Sequence, residues 1–254
     1  MHIIVEQGSN WEKWTAIGTL VLAFFTLLAV GVAVFQDRIK SRIWHPTLAL
    51  HILPQPPDCL KITTTWSTRF GSVMQSDSYY LRVQVENVGH TAADMVEVYL
   101  ADILELNQKG DFEPRKAFLP MNLEWSNFEK PPILLDHLSP HMPKHCGLAH
   151  IVDPKNRTSM PREDNPSANL KPKQTALSLE LVVKPNSGSH LLPPGTYRLK
   201  LVLGAANAIT VTTWVEIVLN GQWFDDENEM LSKGLIVQHL NEAESARAER
   251  ISCR

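Results

Sequence analysis

Between Lys13 and Asp37 the chain runs without one charged residue, and no other feature constrains its fold so strongly. Residues 15–35, at ~1.5 Å per helical residue, reach roughly 31 Å, the thickness of a bilayer's hydrocarbon core. A core helix in a soluble domain rarely needs that length. The pattern predicts a transmembrane helix over 14–36, with Trp11 and Trp14 near one end and Trp44 beyond the other, where indole rings rest at headgroup level. Gly31-Val32-Ala33 offers the small residues that a signal peptidase reads. Against cleavage, the segment ahead of the apolar run is acidic and the run is longer than a signal core.

Lys13 precedes the run, whereas Arg38, Lys40 and Arg42 follow it closely. Cations are retained on the cytoplasmic side, so the expected topology has the short tail 1–13 outside and the basic linker 37–45 inside. Everything beyond then faces the cytoplasm from an inner or plasma membrane. There the Asn156-Arg157-Thr158 sequon would stay silent. Thr15, Thr19 and Ala23, then Ala29 and Ala33, repeat small residues every four positions, a spacing that admits a homo-oligomer through the helix as well as a monomer. The lipid bilayer is the one partner this segment names.

The formal net charge is -3, and the acid excess lies in the part after the helix, which excludes a phosphate-coating, nucleic-acid-binding surface. Cys59, Cys146 and Cys253 are far apart, odd in number and form no C-x-x-C. They suggest neither a disulfide framework nor a zinc ribbon, and fit a reducing compartment.

From Pro46 onward the apolar pattern has period two in short segments divided by Pro, Gly, Asn and Asp. Strands are predicted at 47–53, 59–66, 79–86, 95–104, 118–125, 144–152, 175–184, 197–203 and 209–219. In the third, Tyr79, Leu81, Val83 and Val85 share one face; Val96, Val98 and Leu100 of its neighbour share that buried side. Residues 67–78 read as a polar connection and 153–173 as a long exposed loop. The fold class expected over 46–224 is therefore mainly β, an antiparallel β-sandwich preceded by one N-terminal transmembrane α-helix. The tail 225–254, acidic and then rich in Ala, Glu and Arg, reads as a short exposed helix or disorder, with Gly234 interrupting 230–240.

The run 80–98, Tyr-Leu-Arg-Val-Gln-Val-Glu-Asn-Val-Gly-His-Thr-Ala-Ala-Asp-Met-Val-Glu-Val, resembles the central hairpin of bacterial CARDB and fibronectin-type-III-like sandwiches, with their Asn-x-Gly turn between alternating strands. Leu192-Pro193-Pro194-Gly195-Thr196-Tyr197-Arg198-Leu199 is similar to their late proline-glycine turn leading into a tyrosine. In this reading Asn87 bonds the turn backbone, Gly89 supplies a positive φ and Gly195 belongs to a turn. The resemblance implies an Ig-like antiparallel β-sandwich, and binding or scaffolding rather than catalysis. Such modules often stand outside the cell, whereas the cation pattern puts this one inside.

One stretch carries candidate chemistry. His137, His141, His145 and Cys146, near Asp136 and His150, combine imidazole, thiol and carboxylate donors that suit zinc or another transition metal. Pro140 and Pro143 exclude a regular helix, so the four-residue histidine spacing does not gather them on one helical face. The plain alternative is a loop with solvent-facing histidines. The acidic run Asp225, Asp226, Glu227 and Glu229 lacks the EF-hand spacing, and the common hydrolase, dinucleotide, NTPase and metalloprotease motifs are absent. Trp125, Trp214 and Trp223 offer candidate interface anchors; Trp214 reads as core, and Trp223, beside Gly221 and the acidic run, stays a candidate interface residue. Three functions are expected in turn: a bacterial-type membrane-anchored binding module for a protein or small ligand, with no cofactor; a ligand-gated effector whose helices perturb the bilayer; and a metal-dependent enzyme.

Overall fold

The computed structural model describes residues 9–43, 45–67, 72–116, 118–156, 170–171 and 173–253. Trp44, Arg157 and Thr158 of the sequon, and most of 153–173 lie outside the described residues, as do the side chains of Arg38, Lys40 and Arg42. The chain divides into two units, Met1–His45 and Pro46–Arg254.

The first unit contains one helix, α1 (Ser9–Ile43), 35 residues long. Nothing in its sequence breaks it until Pro46, whose ring disfavours helical backbone just ahead of it. Within α1, Trp11–Gln36 has a mean hydropathy of 2.5, is wholly unburied by protein, and is long and apolar enough to cross a membrane. Three threonines interrupt its hydrocarbon surface. The hydroxyls of Thr15, Thr19 and Thr26 donate to the carbonyls of Trp11, Thr15 and Leu22 four residues earlier, so none needs water as a partner.

In the second unit thirteen strands are described: β1 (Leu48–His51), β2 (Cys59–Ser67), β3 (Val73–Asn87), β4 (Ala93–Leu106), β5 (Phe112–Pro114), β6 (Met121–Asn122), β7 (Leu135–Leu138), β8 (Lys144–Val152), β9 (Leu177–Leu179), β10 (Leu191–Leu192), β11 (Gly195–Gly204), β12 (Val211–Leu219) and β13 (Leu235–His239). One antiparallel sheet runs β1-β3-β8-β9-β10, with β2 also on β3; the other runs β13-β12-β11-β4-β5, with β6 and β7 on β4. Both sheets contribute to a single core. Tyr79, Leu81, Val83 and Val85 of β3 are buried with Val96, Val98 and Leu100 of β4, Leu199 and Leu201 of β11, and Ile217 of β12. Full burial of each aliphatic side chain is worth about 1.5–3 kcal/mol.

A bulge in β4 changes which residues face that core. Opposite β11, Lys200 pairs with Asp102 but Leu201 with Leu100, leaving Ala101 as the extra residue. The alternation flips, so Ile103 joins the common core and Leu104 is buried on the outer face.

What covers Leu104 is the tail. Residues 225–254 were expected to be exposed or disordered; instead β13 pairs with β12, and α3 (Glu242–Ser252) buries Ala248 against Leu104 and Trp214, flanked by Phe112, Leu240 and Ile251. Asn241 and Glu244 close a capping box at its start. Gly234 ends a π-helical turn, Met230–Gly234, that follows the short helix α2 (Glu227–Glu229) and leads into β13. Residues 72–78, read as polar connection, lie largely in β3, which pairs with β2 as far out as Val73. The first and last strands also meet: Ile52 N–H, just beyond β1, donates to His239 Nε2 at the end of β13, 3.1 Å away.

Candidate functional site

Strand β7, the following turn and strand β8 carry the histidine-rich stretch, and they scatter its donors. His137 on β7 is exposed and meets Asp94 Oδ1 through Nδ1 at 3.2 Å. His141, in the turn with φ 57, lies 4.0 Å from Glu86. His145 is half-buried and pairs through Nε2 with Oδ1 of the buried Asp58 at 3.1 Å, whose other oxygen accepts from Leu53 N–H. On the same strand, buried His150 pairs with Glu180 and stacks on Tyr80.

Cys146 donates its thiol proton to the Glu124 carbonyl at 3.1 Å. Burial pushes its pKa well above the ordinary thiol value, and burial followed by the Asp58 charge pushes Cys59 up to about 12. A protonated thiol is neither a metal ligand nor a nucleophile. Among the described residues no three His, Cys, Asp or Glu side chains converge on a point that would hold a metal ion. The stretch is thus a set of separate pairs, because a strand sends neighbours to opposite faces and its turn points elsewhere again.

The Asn-x-Gly turn is a more connected feature. Asn87 is fully buried at the end of β3. Its Oδ1 accepts from Gly89 N–H at 3.0 Å and Thr47 N–H at 3.2 Å, while Nδ2 donates to the Thr91 carbonyl at 2.7 Å and the Leu138 carbonyl at 3.1 Å. One amide thereby ties the start of β1, the β3–β4 turn and the end of β7. The role expected of Gly89 needs correction: among the described residues the glycines at positive φ are Gly110, Gly188 and Gly221. Gly89 instead occupies a buried position closed by the Asn87 side chain, which makes a left-handed residue unnecessary. Gly195 opens β11, and a Cβ there would sit 3.1 Å from Tyr197 Oη, which donates to the Pro193 carbonyl at 2.8 Å.

Trp223 is half-buried rather than a free anchor. Its ring lies 4.9 Å from that of Tyr79, and Nε1 donates to Asp225. Lys61 Nζ stands 6.0 Å from both ring centroids, 3.0 Å from Asp77 and 3.9 Å from Asp225. Tyr79 Oη donates to the carbonyls of Phe224 and Asp225, and Lys61 N–H donates to Glu227. Burial and then the charges of Glu227, Asp225, Asp226 and Asp77 push the Tyr79 phenol up to about 12, while hydrogen bonds from Lys61 and Thr63 hold Asp77 below its usual range. The acidic run therefore fastens the segment between β12 and β13 to β2 and β3. Sequence reasoning missed this, since its partners lie 164 residues or so earlier in the chain. Trp125 and Trp214 are core, 1% and 2% exposed.

On α1, Trp14 is exposed, as are Thr15, Thr19 and Ala23 along one face. Comparison of the chain with protein-family models, with curated proteins and with solved structures returns no match.

Proposed function

We propose that this is a single-pass membrane protein in which α1 anchors a non-catalytic, Ig-like β-sandwich that binds a protein or small ligand. The observation that carries the anchor is the long apolar surface of Trp11–Gln36, unburied by protein, with its three hydroxyls satisfied inside the helix. The excess of Arg38, Lys40 and Arg42 over Lys13 supports a cytoplasmic domain in an inner or plasma membrane, with the N-terminus outside. Two antiparallel sheets around one core support the sandwich, and the Tyr197–Pro193 hydrogen bond supports its Ig-like type, because a tyrosine bonding backbone a few residues upstream is a habit of those folds. A binding role rather than catalysis is supported by the separate pairing of His137, His141, His145 and Cys146. The partly exposed edge of Trp223, framed by Lys61 and Asp225, is the surface best furnished for a partner.

Cys253 supplies the test: it is the exposed thiol of the three, with Cys59 and Cys146 buried. A membrane-impermeant maleimide should label Cys253 in inverted vesicles and not in intact cells, and the protein should resist carbonate extraction. Labelling in intact cells would reverse the topology, and extraction by carbonate would remove the anchor. Helix–helix association along Thr19, Ala23 and Thr26 is the second reading, favoured by the shallow face those residues form with Leu22, Leu27 and Val30. Toxicity that vanishes on deleting 1–43 would move the reading from anchor to bilayer-perturbing effector.

A further inference from the structure

Four stretches meet at one end of the second unit. Val88 N–H donates to the Thr47 carbonyl and His141 N–H to the Asn87 carbonyl, both at 2.8 Å; Ala206 N–H donates to the Asp94 carbonyl at 2.9 Å, and Asn207 Nδ2 to the Ala92 carbonyl at 3.0 Å. The inlet 45–47, the β3–β4 turn 88–92, the β7–β8 turn 139–143 and the β11–β12 turn 205–210 thus form a single proximal surface. In a chain that is 20% Asp, Glu, Lys and Arg, not one of those residues occurs in any of the four. What they present instead is apolar or weakly polar: Val88 is 42% exposed, Met142 59% and Ile209 80%, with His90 and His141 exposed between them. Flanking charges are Asp94, engaged by His137 and Asn207, half-buried Glu86, Asp136 and Lys144, and exposed Glu129 and Lys130 on the segment from Ser126, which donates to the His145 carbonyl, to β7. This is also the end at which the chain, having left α1 at Ile43, enters the unit at Pro46.

We infer that this proximal surface rests on the lipid bilayer crossed by α1, with Val88, Met142 and Ile209 dipping into the headgroup and acyl boundary. The inference rests on the anchored reading above. Three separate apolar tips would bind a membrane weakly if free, but a covalent tether makes the contact intramolecular, and weak contacts then suffice. Desolvating a charge at the boundary is the main cost of such a contact, and these stretches carry none. Imidazoles, with an apolar body and a polar tip, suit headgroup level. A protein partner of opposite charge has nothing to recognise here, which is why lipid is the occupant the surface fits.

The test uses the full chain in phosphatidylcholine–phosphatidylglycerol nanodiscs with Cys253→Ser, so that one introduced cysteine carries an environment-sensitive fluorophore. Ile209→Cys and Met142→Cys report the proximal surface, Lys109→Cys the opposite end, and Leu28→Cys the helix. Lipids bearing a nitroxide near the headgroup should quench the labels at 209 and 142 several-fold more than the label at 109. Equal quenching at 209, 142 and 109, with the label at 28 still quenched by a deep nitroxide, overturns the inference and leaves the anchor standing. Loss of quenching at 28 overturns the anchor itself. A blue-shifted label at 209 without lipid quenching reports burial against protein and also overturns the inference.

Discussion

The proximal and distal ends of the β unit are stabilised by opposite means. At the proximal end a single neutral amide, Asn87, satisfies four backbone groups, and the loop tips around it carry no charge. At the distal end the connections hold Lys109, Asp111, Asp225, Asp226, Glu227, Glu229 and Lys233, and the segment between β12 and β13 is fastened by ion pairs and cation–ring contacts through Lys61. Exposed ion pairs contribute little each, whereas a buried amide with every bond made is costly to disturb. The contrast teaches that the charge-free end was not left bare for want of ways to close it. It is closed internally, and its outer surface is free to meet something apolar.

Four measurements break or sharpen this contrast. Asn87→Ala should have the largest effect, about 3 kcal/mol of lost stability in denaturant titration of the detergent-solubilised chain, because several buried backbone groups lose their partner at once. A loss below about 1 kcal/mol would mean that the proximal end is not centred on this amide. Gly221→Ala, at the distal end, should cost about 2 kcal/mol: its φ is 87° and a Cβ would stand 2.6 Å from Pro194 Cγ. No measurable change there would show that the distal connection yields freely.

A smaller effect is expected from His239, whose imidazole burial, and then the charge of His51, hold below the usual value of 6.5. Above pH 6.5 folded and unfolded chains are both neutral at this site. As pH falls below it the unfolded chain takes up a proton that the folded chain refuses, so stability drops until the folded value is passed. Melting curves across that window should slope, and His239→Gln should flatten them; an unchanged slope in the variant would assign it to another group. Smallest of all, Ile209→Asp should change stability in detergent by no more than about 0.5 kcal/mol, since the side chain touches little. A larger loss would make Ile209 part of the fold rather than of its surface.

Alternation made β3, β4, β11 and β12 legible, since in each buried residues recur every second position over much of the strand. Strands of two to four residues, such as β6, β7 and β10, offer no such period. The bulge at Ala101 was invisible for a related reason: a period-two reading has no place for an extra residue, so nothing marked Leu104 as needing a cover over the second sheet. Without that need, α3, whose one fully buried side chain is Ala248, reads as a solvated tail. At the candidate site the histidine spacing was legible, but its meaning was not. Proximity in sequence along a strand and its turn separates side chains in space, and the partners Asp58, Asp94 and Glu180 come from elsewhere.

The hydrogen bond from Ile52 to His239 spans 187 residues. During synthesis α1 leaves the ribosome long before His239 exists, so emergence of the helix and completion of the β unit are ordered in time. Until β13 and α3 arrive, β12 has an open edge and Trp214 lacks its cover. A chain stalled before that point would carry an unfinished edge, the state that quality-control proteases would meet first.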